Sequence, residues 1–151
     1  MKTRITGMID APIEKVFALI AGIDRAREWM PADAKVERVT PGPLRVGSRY
    51  RETRPVMGKP DTEEYEVTAF DPPNLIEVYA DGTKGTAGRG GFRIQIFLDR
   101  AGPRATKVKM KGFVSRMGCL GIIAYPVIRG IMRKHLIADF AAVKAWIERQ
   151  P

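Results

Sequence analysis

The chain has 151 residues, 44% of them hydrophobic, and a single cysteine, which is enough for one domain with its own core and leaves no internal disulfide to make. Its 26 Lys and Arg against 17 Asp and Glu give a net charge of +9, but aromatics are only 8%, the basic residues read as scattered, and no zinc, helix-turn-helix or ribonucleoprotein motif is present, which argues against a nucleic-acid role. The most apolar run, Cys119 to Ile128, falls far short of the roughly 20 residues that span a bilayer, and Met1 to Ala11 lacks the apolar block of a secretory signal, so a cytoplasmic location is expected.

Lys2 to Ile9 alternates as a strand, with Ile5 and Ile9 inward. Asp10-Ala11-Pro12 then opens a helix: Asp10 is the expected N-cap, Val16, Phe17, Leu19 and Ile20 form the buried side, and Gly22 ends it. A second short helix, Asp24 to about Trp29, is stopped by Pro31. From Ala34 the period changes to two. Strands are expected at Lys35–Thr40, Gly47–Met57, Asp61–Phe70, Asn74–Asp81, Gly90–Asp99 and Ala105–Ser115, separated by Gly/Pro turns and one Gly-rich loop. Short turns between consecutive strands make an antiparallel meander. Apolar residues keep one parity in the last four strands (Tyr65, Val67, Ala69; Ile76, Val78, Ala80; Phe92, Ile94, Ile96, Leu98; Val108, Met110, Val114), which leaves one wet and one covered face.

The end of the chain, about Met117 to Gln150, reads as one long helix with two apolar stripes. Met132, Leu136, Phe140, Val143 and Ile147 form a core-facing stripe; Leu120, Ile123, Val127, Ile128 and Ile131 form another, rotated away from the first, with Pro126 and Gly130 permitting a bend between them. The element order leaves one helix to cover a seven-stranded antiparallel sheet. Such a sheet curls around the helix, and a helix about 10 Å wide leaves a gap in the concavity, the kind of space in which ligands bind.

Several segments carry a family resemblance: Ile9-Asp10-Ala11-Pro12-Ile13-Glu14-Lys15-Val16-Phe17, Trp29-Met30-Pro31, Gly42-Pro43-Leu44-Arg45-Val46-Gly47-Ser48-Arg49, Val67-Thr68-Ala69-Phe70-Asp71-Pro72-Pro73, and the closing Asp139-Phe140 through Glu148. In these the chain resembles the START-like superfamily, which shares the helix-grip fold of the birch-pollen allergen, and within it the polyketide cyclase/dehydrase and lipid-transport family. The resemblance spans almost the whole chain. It implies an α+β helix-grip fold, a single START-like domain over 1–151, and a cavity for an apolar or amphipathic small molecule such as a lipid, quinone or polyketide-like compound. It implies no cofactor. A cyclase or dehydratase activity is one alternative; a partner-binding role is another, since relatives are implicated in coenzyme-Q handling and ribosome association.

Few residues offer chemistry. His135 is the only histidine and either continues the upstream helical stripe into the cavity or sits at its boundary in solvent; no second histidine or cysteine completes a metal site. Arg49 to Arg54 puts charge on both strand faces. If Tyr50 pairs with Val67, Arg51 meets Glu66 outside and Tyr50, Glu52 and Arg54 turn inward, there to orient a ligand's polar end or act as acid and base; alternatively Glu52 and Arg54 pair with each other near the sheet edge and reach water. The catalytic candidates are thus Glu52, Tyr50 and His135. The expected ligand wall comprises Tyr50, Glu52, Arg54, Tyr65, Val78, Ile94, Ile96, Val108, Met110, Ile128, Ile131 and His135. Ser48 and Ser115 have no His/Asp arrangement to activate them. Gly82 to Gly91 lacks the features of a phosphate cradle and reads as a lid or a plain hairpin loop. Lys107, Lys109 and Lys111 make an outer stripe, a solvated surface or a contact for an acidic membrane.

Overall fold

The computed structural model describes residues 2–150; Met1 and Pro151, the ends of the expected 1–151 span, lie outside the described residues. Seven strands form one antiparallel sheet: β1 (Lys2–Ile9), β2 (Lys35–Arg38), β3 (Arg49–Val56), β4 (Lys59–Asp71), β5 (Leu75–Asp81), β6 (Gly91–Gly102) and β7 (Ala105–Ser115), in the spatial order β1-β7-β6-β5-β4-β3-β2. The meander from β2 to β7 follows from the short turns, and β1 closes beside β7. Helix α1 (Ile13–Ala21), a 3₁₀ turn at Ile23–Arg25 and α2 (Ala26–Trp29) occupy the β1–β2 connection, and α3 (Gly118–Glu148) lies across the sheet. This is the helix-grip arrangement.

The core sits where α1 and the second half of α3 meet the sheet. Ile9, Ile13, Val16, Leu19, Val67, Leu98, Val108, Leu136, Val143 and Ile147 are buried in one cluster. Two glycines set how close α3 comes. A Cβ on Gly7 would lie 2.2 Å from Cζ of Phe140, and one on Gly112 would lie 2.4 Å from Sδ of Met132, so the bare backbone of β1 and β7 is what seats these two helix side chains.

Several local expectations are corrected. Helix α1 is preceded by Pro12 at the N-cap position with no side-chain cap; the Asp10 backbone N–H donates instead to Glu148 Oε2 at 2.8 Å, tying the start of α1 to the end of α3. The β3–β4 turn is Met57-Gly58, both with positive φ, and Lys59 and Pro60 already belong to β4. Within β4 the single parity fails at Thr68. A bulge there leaves Val67 opposite Val78 but puts Ala69 opposite Glu77 and Phe70 opposite Ile76, so Phe70 rather than Ala69 turns inward and meets the Phe17 ring at 5.6 Å. The upstream stripe of α3 is divided: Ile128 and Ile131 face a cavity, whereas Leu120, Ile123 and Val127 are exposed. The helix runs unbroken through Pro126.

Candidate functional site

Between the concave sheet face and α3 lies a cavity of about 380 Å³, within the size range of small-molecule sites. Most of its wall is apolar. Ile76 and Val78 of β5, Phe92, Ile94 and Ile96 of β6 and Met110 of β7 supply the floor, and Ile128, Ile131 and Met132 of α3 the roof. These positions alternate along each strand because the period of two sends every second side chain into the concavity.

The β3–β4 side is different. Strand β3 places Tyr50, Glu52 and Arg54 on the inner face, opposite Tyr65, Glu63 and Asp61 of β4 in that order, and all six line the cavity. The register is shifted by two residues from the expected pairing of Tyr50 with Val67, an even shift that preserves which side chains face inward. On the wet face the ion pair of Arg51 is accordingly with Glu64, at 3.5 Å, instead of Glu66. The Tyr50 and Tyr65 rings stack at 5.6 Å.

From the roof, Asp139 completes the polar end. Arg54 donates from Nη1 and Nη2 to the two oxygens of Asp139, both at 2.8 Å, and from Nε to Glu52. The expectation of a Glu52–Arg54 pair is met, but in the cavity wall: the two side chains are 17% and 13% exposed. Burial pushes the Asp139 carboxyl up to about 6, with the Arg54 guanidinium and its hydrogen bonds opposing the rise and Glu52 adding to it. Two carboxyls share one guanidinium in a mostly apolar space, so holding both negative charges is costly. Burial and the nearby Arg54 push the half-buried His135 imidazole down, opposed in part by Glu52 and by a hydrogen bond to the Pro55 backbone. Both tyrosine hydroxyls are pushed above their ordinary range, chiefly by burial and next by Glu52, and stay protonated.

Glu63 is only 4% exposed. Its Oε1 accepts the Ala87 N–H at 2.9 Å, while its buried Oε2 has no partner among the described residues. Burial pushes both the Glu63 and the Asp61 carboxyls up. The Gly-rich loop after β5 packs over this corner. Thr86 exchanges hydrogen bonds with Thr62, and Ala87 itself lines the cavity.

Of the residues expected on the ligand wall, Tyr50, Glu52, Arg54, Tyr65, Val78, Ile94, Ile96, Met110, Ile128, Ile131 and His135 line the cavity. Val108 does not: it is packed in the core next to Leu98, its partner on β6. Sequence reasoning missed Asp139, Asp61, Glu63 and Trp29 as wall residues. Asp139 carried a usable signal, since on an ideal helix it falls within about 60° of both Leu136 and Val143 and so puts a carboxyl beside an apolar stripe. Glu63 carried none without the β3–β4 register. Among the described residues no group of three His, Cys, Asp or Glu is placed to hold a metal ion, and no helix is long and apolar enough to cross a membrane.

The family described as polyketide cyclase / dehydrase and lipid transport matches residues 2–148. No curated protein matches the sequence. Among solved structures, a protein from Thermus thermophilus is 16% identical, with a TM-score of 0.76 and 97% of each chain covered. The major latex-like protein 151 of Panax ginseng is 12% identical, with a TM-score of 0.73 over 96% of this chain and 95% of that one. A protein in the dynemicin biosynthetic locus is 15% identical, with a TM-score of 0.68, and matches 98% of this chain but 47% of its own length. At these identities the likeness is one of fold.

Proposed function

The chain belongs to the polyketide cyclase/dehydrase and lipid transport family of START-like proteins, and we propose that it binds a small amphipathic molecule, apolar over most of its length and ending in a hydroxyl or amine. The observation that carries this reading is the asymmetry of the cavity: aliphatic floor and roof at one side, and at the other four carboxyls, Glu52, Asp61, Glu63 and Asp139, around the single guanidinium of Arg54. Arg54 already directs its fork to Asp139 and Glu52 and so offers no free clamp to an acid headgroup. Within the lipid, quinone and polyketide-like classes, the donor-bearing members fit best: alcohols, amines, quinols and phenols.

Displacement of an apolar fluorescent probe by dodecanol, dodecylamine and dodecanoate at pH 7 tests the proposal. The alcohol or the amine should compete at least about tenfold better than the carboxylate, because the acid brings a like charge to the carboxyl cluster. Tighter binding of dodecanoate, or no probe binding at all, overturns it.

A second reading, catalysis of the cyclase or dehydratase kind, is favoured by one observation: a carboxyl near pKa 6 beside a second carboxyl and a half-buried imidazole, groups suited to proton transfer at neutral pH. Glu52→Gln separates the two. In a binder it shifts affinity for ligands with donor heads; in an enzyme it abolishes turnover of a polyketide-like substrate while binding survives.

A further inference from the structure

From Gly118 to Ile128, α3 carries no charged residue. A helical segment apolar on all sides normally belongs in a core. Here it does not: Leu120, Ile122, Ile123 and Val127 are 69%, 71%, 80% and 55% exposed. At about 100° per residue these side chains span the whole outward arc of the first three turns, while Gly121 and Ile128 point to the body of the protein.

The surroundings of this arc are basic to an extent that linear composition hides. From Ala101 to Ala138 there is not one Asp or Glu, and eight Lys and Arg carry +8 of the chain's net +9. Exposed Arg116 precedes the apolar arc, and exposed Arg129, Arg133 and Lys134 follow it. Arg129 Nε donates to the Lys2 carbonyl at 3.1 Å and Arg133 Nη1 to the Arg4 carbonyl at 2.9 Å, which holds both guanidiniums at the edge of β1. Arg4 in turn lies directly opposite Lys111 on β7. Both side chains lie on the sheet's outer face, away from α3, where like charges paired across strands cost stability.

The patch also borders the cavity. Met117, Ile128 and Ile131 of its flank line the cavity wall, as does Val56, and the residue after Val56, Met57 at the β3–β4 turn, is a further exposed apolar side chain.

We propose that the first three turns of α3, with their basic collar of Arg116, Arg129, Arg133 and Lys134, form a docking face for an anionic lipid bilayer. The aliphatic arc matches the boundary between headgroups and acyl chains, and the cations match acidic headgroups. A polynucleotide would meet the cations but not the aliphatic arc. A second copy of the chain would cover the arc but bring two strongly positive faces together.

Co-sedimentation of the ligand-free protein with vesicles of phosphatidylcholine alone, or with phosphatidylglycerol at about one part in three, tests this independently of what the cavity holds. Phosphatidylglycerol should raise the bound fraction about tenfold at low ionic strength, and salt should reverse the gain. Ile123→Glu, at an exposed position, should keep the parent's thermal midpoint and lower vesicle binding about tenfold. The sole cysteine, Cys119, lies in the patch and is exposed; an environment-sensitive fluorophore there should shift to the blue with the anionic vesicles only. The proposal is overturned by equal or absent binding to the two vesicles, by full binding of Ile123→Glu, or by a lipid-free dimer that Ile123→Glu disperses. RNA binding that survives Ile123→Glu, in place of vesicle binding, overturns it as well.

Discussion

The two halves of α3 have similar apolar content and opposite fates. In the second half Leu136, Val143 and Ile147 are buried against α1 and the sheet; in the first, Leu120, Ile122 and Ile123 stand in solvent. The difference lies opposite the helix. Downstream, β1 and β7 present Gly7 and Gly112, so Phe140 and Met132 press onto bare backbone and the helix closes down on the sheet. Upstream, the Arg129 and Arg133 hydrogen bonds to Lys2 and Arg4 already reach the described start of β1, and the helix before them faces the cavity and its rim instead of a packed wall. Apolar periodicity tells which residues share a face; whether that face is covered depends on its partner surface.

The largest effect that should break this contrast is at Phe140. Phe140→Ala removes the ring seated over Gly7 and should destabilise by about 3–5 kcal/mol in a denaturant titration. A loss under about 1 kcal/mol would mean that the downstream half is held no better than the upstream half. Next comes the link between α3 and β3. Arg54→Ala leaves Glu52 and Asp139 without their shared cation and should cost about 3 kcal/mol, the low end for breaking a buried pair, since both partners retain some solvent contact. Arg54→Lys should recover only part of it, because an ammonium cannot reproduce the two-pronged contact with Asp139.

A third effect follows from protons at the same link. The Asp139 carboxyl is raised from 3.8 to about 6 in the folded state, so between those values the native chain holds a proton that the unfolded chain has released. Its contribution to stability is therefore fully present below about pH 3.8 and lost as pH rises through about 6, the reverse of an ordinary salt-bridged aspartate, with an amplitude on the order of 3 kcal/mol. Glu77 contributes in the opposite direction: burial raises its carboxyl, but hydrogen bonds from Gln95 and Thr68 and the charge of Arg93 more than offset that and hold it below its usual range. Glu14 and Glu148, also held low, act in the same sense as Glu77. The Asp139 share is isolated by subtracting the pH profile of Asp139→Asn from that of the parent. A difference that grows with pH across this window would show that Arg54 outweighs burial.

How much of this could be read from the chain itself varied with the range of the interaction. Element order, strand parity in β5, β6 and β7 and the core stripe of α3 follow from local periodicity, and each is observed. The inward turn of Tyr50, Glu52 and Arg54 survived a wrong register only because the error was two residues. The bulge at Thr68 escaped because nothing in Val67-Thr68-Ala69-Phe70 marks an extra residue; Phe70 turns inward through its pairing with Ile76 on β5. The joining of Asp139 to Arg54 spans 85 positions of sequence and needs the fold. The basic residues are scattered as read, but the acids are not: Ala101 to Ala138 holds none, so the net positive charge is concentrated there, a pattern visible in the spacing of the acids along the chain.

The smallest effect sharpens the comparison most. Ile123→Ser replaces a large aliphatic side chain by a short polar one at a position whose neighbours on the helix surface are already in water. Serine and isoleucine differ in helix propensity by only about a few tenths of a kcal/mol, and no cavity is created, so stability should change by less than about 0.5 kcal/mol. The same change at Leu136, buried in the core of the other half, removes apolar contacts and places a hydroxyl among them, and should cost at least about 3 kcal/mol. If Ile123→Ser instead destabilises by more than about 1.5 kcal/mol in dilute solution without lipid, its side chain is covered by protein, the exposed arc does not exist in the free chain, and the two halves of α3 are alike after all.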